Sequence, residues 1–471
     1  MTQTNGPNAI IKICVVLFVV IYYVFGSSVA AHSQPKKYPH DSGKLLLSTD
    51  FVYLGAFRVP TEDMGGPKYQ GLAYGGAVIA YNKTNKSLFI VGHDHNQQVA
   101  EISIPAPIKT ANCAVMNTAR VLQNLGDITE GNRCRLKVDR AEITDDTVKI
   151  GGLVIYGDKL IGSSFAYYDA GFQAVKSHFI SGMNLSKKND FAGMFEVGTK
   201  PAPVPQAGFV AGYMAVIPEA WQQYLGGKLL TGMSAISILS RTSAGPAAFA
   251  FDPDLFGIME PVPATALLYY PPGHQTIGNY HSSKTLYNKG SSLSGVFFPS
   301  GTRSIIFTGR QGLGTACYGQ GTNIPSEHGN RHDYPAPKNT CMGSVMTDTS
   351  NQCCYDPVNL TKGGHAYPYV DYAWAYDAYD LVRVKTGERI VDNPSQNLVD
   401  GVLSSSTETY KPWHIKPYAT WQFDFPTTQQ GYSISSGAAS YDEINKRLYL
   451  VQVQTDQNRP IIHVFQVNTG R

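Results

Sequence analysis

Three consecutive polar residues, His93-Asp94-His95, form the sharpest chemical cluster in this sequence. They follow an apolar run, residues 87–91, and alternate residues at a strand end point in the same direction. The two imidazoles would therefore face one side and Asp94 another. Paired imidazoles can bind a metal ion or exchange protons near neutral pH. The alternative is an ordinary turn whose polar groups bond to backbone amides.

Further His, Tyr and Arg residues recur in polar loops, and with this cluster they predict a catalytic set. Its members are His93, His95, Tyr168, Arg241, Arg310 and His365. These residue types suit β-elimination from a uronate sugar, in which His or Tyr takes a proton and Arg or His neutralises the carboxylate. Carboxylates, which glycoside hydrolysis needs in pairs, are few in these loops: Asp94, Asp169, Asp371, Asp456 and Glu327. Lyase chemistry is therefore favoured over hydrolysis.

Aromatic residues beside these candidates predict a carbohydrate-binding surface, because aromatic rings stack on the apolar faces of sugars. The residues assigned to substrate binding are Tyr167, Asp169, Tyr367, Tyr369, Asp371 and Trp374. The alternative is that these rings pack the long loop 309–372 against the sheet.

The segment from His328 to Cys354 has the residue types of a zinc site, but no metal ligand is assigned. His328 and His332 have the spacing of one helical turn, while the Gly and Asn between them disfavour a helix. Six cysteines follow the N-terminal segment, an even number that is typical of disulfides in an oxidising compartment. Proximity favours a Cys113–Cys134 pair, with Cys317, Cys341, Cys353 and Cys354 bridging among themselves. A structural metal ion in the loop stays as an alternative, and no other cofactor is indicated.

The sequence predicts that short strands separated by turns form the scaffold that positions these loops. One unit has strands near residues 77–81, 87–91 and 99–104, with an outer strand at 119–125, and the same order of elements recurs four more times. The later units are predicted at 153–156, 159–165 and 174–180; at 209–217, 234–239 and 247–251; at 293–298, 304–308 and 373–384; and at 433–441, 447–453 and 461–467. In the third unit, PEAWQQYLGG predicts a short helix opened by Pro218 and closed by Gly226.

This succession resembles the β-propeller superfamily of secreted proteins as a whole, and no specific family within it. The resemblance implies an all-β fold with one propeller of five recognisable blades, and six or seven if residues 119–148 and 255–290 hide degraded ones. The strand at 51–59 would complete the last blade and close the ring. The loops between second and third strands would share a face with the loops joining blades. The long loop 309–372 would lie on that face, and a two-domain all-β protein is the alternative fold.

The N-terminus predicts export. Residues 13–25 are apolar and are followed by small residues, so we predict a signal peptide over 1–30, a linker over 31–50 and the propeller domain over 51–471. The expected location is secreted or periplasmic. A retained membrane anchor is the alternative, because Ile10 and Ile11 lengthen the apolar run.

Composition and net charge limit the classes of partner that the sequence predicts. The net charge of +3 and the absence of long Lys/Arg runs give no reason to expect nucleic acid, and no membrane contact is expected beyond the signal segment. A polysaccharide or other glycan is the expected partner. The sequence therefore predicts a secreted propeller that acts on polysaccharide by lyase-type chemistry. The alternative is a non-catalytic propeller that binds a glycan or a protein.

Overall fold

The structure is a computed structural model that describes residues 43–470, except positions 67, 145–146, 170, 199–206, 234–241, 272–273, 280, 283–284, 349–351, 391–397, 400–401, 404–407 and 429–435. The predicted signal segment lies outside the described residues. Among the residues that are described, no helix is long and apolar enough to cross a bilayer.

The described chain is built mainly of short antiparallel strands. After β1 (Phe51–Arg58), the first blade contains β2 (Ile79–Asn82), β3 (Ser87–Val91), β4 (Val99–Ser103) and β5 (Val121–Gly126). The second contains β6 (Val148–Tyr156), β7 (Lys159–Ala166), β8 (His178–Gly182) and β9 (Ala192–Phe195). The third contains β10 (Val197–Gly198), α1 (Ala207–Val210), β11 (Met214–Val216), α2 (Glu219–Leu225), β12 (Leu229–Thr231), β13 (Ala248–Phe251) and β14 (Val262–Leu268).

The fourth blade carries a large insertion, residues 313–368, between its second and third strands. It starts with β15 (Ser292–Phe297) and β16 (Ser304–Gly312). The insertion adds β17 (Cys317–Thr322), β18 (Thr340–Cys341), β19 (Ser344–Val345), β20 (Gln352–Tyr355) and β21 (Lys362–His365). The blade resumes with β22 (Tyr369–Asp377), followed by α3 (Ala378–Thr386), the hairpin β23 (Leu398–Val399) and β24 (Val402–Leu403), and the outer strand β25 (Ala419–Gln422). The fifth blade contains β26 (Ser436–Asp442), β27 (Arg447–Asp456) and β28 (Arg459–Val467).

The first strands of the five blades contact one another in cyclic order. Strand β2 contacts β6, β6 contacts β11, β11 contacts β15, β15 contacts β26, and β26 contacts β2. All five also line one cavity of about 290 Å³. This order is that of a propeller, as the sequence predicts.

Strand β1 completes the fifth blade by pairing antiparallel with β28, from Phe51 opposite Val467 to Arg58 opposite Ile461. The predicted place of the N-terminal strand in the last blade is confirmed. The two regions that could have hidden extra blades instead supply β5 and β14, the fourth strands of the first and third blades, so the described residues form five blades.

Packing between blades explains why strands such as β3 carry buried apolar side chains on both faces. All five of its residues are buried. Leu88 and Ile90 belong to a core shared with the fifth blade, whereas Phe89 and Val91 belong to a core shared with the second. Because successive side chains point to opposite faces, a strand held between two neighbours is hydrophobic on both.

The third and fourth units depart in part from their predicted strands. The strand expected over 209–217 is divided between α1 and β11, and the one expected over 234–239 lies outside the described residues, with β12 as the second strand instead. The strand predicted over 373–384 ends at Asp377, whose carboxylate accepts the Tyr379 N–H and caps α3. The helix α2 is confirmed, with Pro218 at its N-cap and Gly226 at its left-handed C-cap, φ 89°.

The cysteines of the insertion form two disulfides, Cys317–Cys354 and Cys341–Cys353. Pairing among these four is therefore confirmed, and such bonds are typical of an oxidising compartment. The predicted Cys113–Cys134 disulfide is wrong. Cys113 packs beside a small core against β1 and β28, while Cys134 is buried in the core between the first and second blades.

Alkylation of the denatured, unreduced protein is expected to label Cys113 and Cys134 and to leave the four insertion cysteines unlabelled until reduction. Intact mass gives the number of labels, and peptide mapping assigns them. Retention of Cys14 would add one label in residues 1–30, which mapping separates. A linked peptide pair that contains Cys113 and Cys134 would contradict the assignment.

Candidate active site

A cavity of about 420 Å³ lies where loops of the first and fifth blades meet. We call it the histidine cavity; its lining is Tyr69, Tyr74, Gly75, Ala77, His93, Asp94, His95, Val453 and Gln454. His93 to His95 follow β3, the second strand of the first blade, and Gln454 lies near the end of β27, the second strand of the fifth. Tyr69 and Tyr74 precede β2. The sequence predicts that the loops between second and third strands share a face with the segments that join blades. At this cavity they do.

Aromatic stacking fixes the two imidazoles. The Tyr69 ring lies parallel to His93, with centroids 3.9 Å apart, and His95 lies 5.4 Å from His93 at a small interplanar angle. Tyr74 meets His93 edge to face at 5.5 Å, and the Lys68 ammonium lies 4.6 Å from the Tyr69 ring centre. The cavity therefore presents two imidazoles and two phenols beside a cation.

A backbone hydrogen bond selects the tautomer of His93. The N–H of His95 donates to Nδ1 of His93 at 3.2 Å. A neutral imidazole has one donor and one acceptor nitrogen, so a neutral His93 carries its proton on Nε2. His93 is thus a hydrogen-bond donor at Nε2, not a base.

Burial favours the neutral form of His93. It lowers the pKa of His93, and the neighbouring His95 acts in the same direction, while Asp94 opposes them. The opposing carboxylate is shared, since Asp94 forms a salt bridge of 2.8 Å with Lys149 at the start of the second blade. His93 is therefore held as an uncharged donor over a wider range of acidic pH than an exposed histidine.

Three residues of the cavity have left-handed backbones: Tyr69 (φ 58°), Tyr74 (φ 56°) and Gln454 (φ 51°). Such conformations cost non-glycine residues about 1–3 kcal/mol each and are found most often at functional sites. Hydrogen bonds hold Tyr74 in place: its N–H donates to the Asn458 carbonyl at 2.7 Å, and its carbonyl accepts the Asp94 N–H at 3.1 Å. Two blades are thus joined across the cavity by one strained residue.

The other members of the predicted catalytic set that the structure describes do not line this cavity. Arg241 lies outside the described residues. Tyr168, in the corresponding loop of the second blade, is 61% exposed. Arg310, at the end of β16, has its guanidinium 4.5 Å from the ring centre of Tyr369. His93 and His95 are therefore the two predicted residues of the catalytic set that the structure brings into one cavity.

His365 lies in the interior of the insertion. It is 1% exposed; its Nδ1 is 2.8 Å from Asp356, and its Nε2 is 3.1 Å from the Thr361 carbonyl. The Tyr369 hydroxyl donates to the same carboxylate at 2.6 Å. Burial alone would raise the pKa of Asp356, but the hydrogen bonds from His365 and Tyr369 bring it below its ordinary value. This buried network joins the insertion to β22.

The remaining predicted binding residues occupy different environments. Trp374 is fully buried, and its indole N–H donates to the Leu286 carbonyl at 2.6 Å. Tyr367, near the end of the insertion, meets Tyr355 and Tyr369 edge to face. Tyr167 is 47% exposed, and the Asp169 carboxylate accepts N–H bonds from residues 173 and 174, closing its loop. The position of Trp374 is that of a core residue.

Asp371 is a half-buried acid whose pKa lies above its ordinary value. It lies opposite Arg310 in the β16–β22 register, but that guanidinium turns over Tyr369. Oδ1 of Asp371 accepts no hydrogen bond from the described residues. Burial raises the pKa of Asp371 from 3.8 to about 7.

The pKa of Asp371 predicts a loss of stability as pH rises. Between about pH 4 and pH 7 the folded state keeps the proton that the unfolded state releases, so the free energy of unfolding falls across this interval. Asp371→Asn should reduce that slope, which denaturant midpoints measured across the interval would show. Asp158→Asn, in the exposed turn after β6, controls for the lost charge. Equal slopes in the wild type and Asp371→Asn would contradict the assignment.

Sequence reasoning missed Tyr69, Tyr74 and Gln454. The two tyrosines lie in a segment without a strand pattern, KYQGLAYGG. The available signal was the pair of tyrosines between glycines in a connection on the face of His93. Gly75 is needed there, since a Cβ on it would lie 2.7 Å from the Gly92 carbonyl oxygen.

No protein-family profile and no curated protein sequence matches this chain. Solved structures to which it is similar include a luciferin-regenerating enzyme, 7% identical, with 84% of this chain and 92% of that one covered and a TM-score of 0.33. Another is a subtype N10 neuraminidase-like protein of A/little yellow-shouldered bat/Guatemala, 8% identical, with 85% and 100% covered and a TM-score of 0.26. Likenesses at these scores carry no inference about activity.

Proposed function

We propose that this protein is a secreted propeller that binds acidic polysaccharide at the histidine cavity and cleaves it by β-elimination. The observation that carries the proposal is the convergence of His93, His95 and Tyr74 in one open cavity. Functional groups there can donate to a carboxylate, accept a proton and protonate a leaving oxygen. The two disulfides support export, since they are typical of oxidising compartments.

Each group has a role in the proposed reaction. His93 would donate Nε2–H to the uronate carboxylate and stabilise the charge that develops when the neighbouring carbon loses its proton. His95 would take that proton, and the electron pair of the C–H bond would form the new C=C bond as the glycosidic C–O bond breaks. The Tyr74 hydroxyl would protonate the departing oxygen. Lys68, beside Tyr69, adds positive charge for an anionic substrate.

The second candidate is binding without cleavage. The stacking of Tyr69 on His93 favours it, because a ring covered at 3.9 Å offers only its edge and other face to a substrate. A protein with this function would use the cavity to hold a sugar ring against Tyr74.

One assay separates these functions. The protein is incubated with polygalacturonate, alginate and a neutral galactomannan, and ultraviolet absorbance and fragment masses are followed. We expect absorbance from an unsaturated product on an acidic polymer, with no water added to the fragments. Hydrated fragments would indicate hydrolysis, and binding without fragments would support the non-catalytic function; either result would overturn the lyase proposal.

A further inference from the structure

Exposed tyrosines lie in two separate loops apart from the histidine cavity. Tyr167 and Tyr168 follow β7 and are 47% and 61% exposed, and Tyr318 on β17 of the insertion is 47% exposed. We call these three residues the tyrosine platform. Both loops connect second and third strands of their blades, as does the loop of His93, so the platform lies on the face of the histidine cavity.

The electrostatics of the platform residues support their placement on one face. Burial raises the pKa of Tyr167, Arg310 acts against that shift, and Tyr318 adds to it. Tyr318 and Tyr168 both act on the ammonium group of Lys362. These interactions are consistent with one surface that the second blade and the insertion of the fourth blade share.

Cations border the tyrosine platform. The Lys289 ammonium lies 5.8 Å from the Tyr318 ring centre, and Lys362 lies on the strand that pairs with Tyr318. Lys362 shares its charge with Asp348, at 2.9 Å. Burial lowers the pKa of Lys289, which has no carboxylate within salt-bridge distance among the described residues. The two lysines and one aspartate therefore give the border of the tyrosine platform a net positive charge.

The backbone holds this arrangement in place. Gly364 lies opposite Tyr318 in the β17–β21 register, and the Lys289 stem crosses it, so a Cβ there would be 2.9 Å from Lys289 Cγ. Cys317, next to Tyr318, is fixed by its disulfide to Cys354. On the other side, the Tyr167 N–H donates to the Thr147 carbonyl at 2.7 Å. Both loops are anchored, so binding there orders little new structure.

We propose that the tyrosine platform, with Lys289 and Lys362, is a second binding surface for acidic polysaccharide. It deepens the proposed function, on which it rests, by extending the contact beyond the histidine cavity. Rings stack on the apolar faces of sugars, and the ammonium groups pair with the carboxylate or sulfate groups of the chain. A neutral polymer would lack the second contact, and an anionic polymer without sugar rings would lack the first.

The test measures binding of the full protein to polygalacturonate and alginate by affinity electrophoresis, with galactomannan as the neutral polymer and polyglutamate as the anion without sugar rings. Tyr168→Ala and Tyr318→Ala should each weaken binding by about 3- to 10-fold, the scale of an aromatic contact. Lys289→Ala should weaken it at low salt and have less effect at high salt. Tyr334→Ala is the matched control, a tyrosine of the same insertion that is 46% exposed. Melting temperatures verify that each variant is folded.

The outcomes separate this inference from the proposed function. If wild type binds without cleaving and the platform variants lose binding, the platform is supported and the lyase proposal fails. If wild type cleaves while the platform variants bind and cleave at the wild-type level, the platform is overturned and the lyase proposal stands. Loss of binding in Tyr334→Ala to the same extent, equal binding of polyglutamate, or no binding of any acidic polymer by wild type would also overturn the platform.

Discussion

His93→Ala is expected to lower turnover on an acidic polysaccharide by about 100-fold or more, the scale on which a positioned acid or base acts. His95→Ala should have an effect of the same size. His93 is half-buried and His95 exposed, so neither replacement opens a cavity in the core, and melting temperatures should change little. Initial rates of ultraviolet absorbance measure the effect.

Glutamine variants distinguish the two histidines. His93→Gln keeps an N–H donor and should recover part of the activity, because the Nε2–H of His93 is proposed to donate to a carboxylate. His95→Gln cannot take a proton and should recover none. His332→Ala, in the insertion, is the matched control. A wild-type rate in His93→Ala would rule out its catalytic role, and a large loss of melting temperature in both alanine variants would show that the pair is structural.

Trp374→Ala is expected to destabilise the fold by about 3–5 kcal/mol, as for other large aromatic residues removed from a core. The side chain is fully buried against Tyr372 and Tyr287, and its removal would also leave the Leu286 carbonyl without its indole donor. Chemical denaturation followed by far-ultraviolet circular dichroism, which reports on the backbone and not on tryptophan, measures the change.

Tyr168→Ala is the comparison for Trp374→Ala, since it removes an aromatic ring that is 61% exposed. Its free energy of unfolding should stay near that of wild type. A Trp374→Ala protein of wild-type stability with reduced glycan binding would instead support the binding role that the sequence suggested.

The fold was largely predictable because strand and turn signals are local. Residues 87–91 have the bounds of β3, and the Gly157-Asp158 turn joins β6 to β7 as expected. The pairing of the N-terminal strand followed from counting strands, because three strands remained in the last blade. The prediction failed where local signals compete: Asp377 caps a helix at the end of an apolar run, and sequence alone continues that run as a strand.

The site was less predictable because it depends on contacts between distant segments. His93 and His95 stood out by their spacing. Tyr69, which stacks on His93, lies in a connection with no periodic pattern, and Gln454 comes from the opposite end of the chain. His365 and Trp374 have the right chemistry for a site and lie close to the insertion boundary. Their burial depends on where β22 begins, which the sequence does not show.

The pairing of β1 with β28 has a consequence for synthesis on the ribosome. Residues 51–58 emerge before the first four blades and residues 459–467 emerge after them. Strand β1 therefore has an unpaired edge while those four blades are made. The first to fourth blades can each be completed from contiguous sequence, but the fifth needs both ends at once and closes a loop of nearly the whole domain. During that interval β1 is open to pairing with another nascent chain, so chaperones would have to protect this edge.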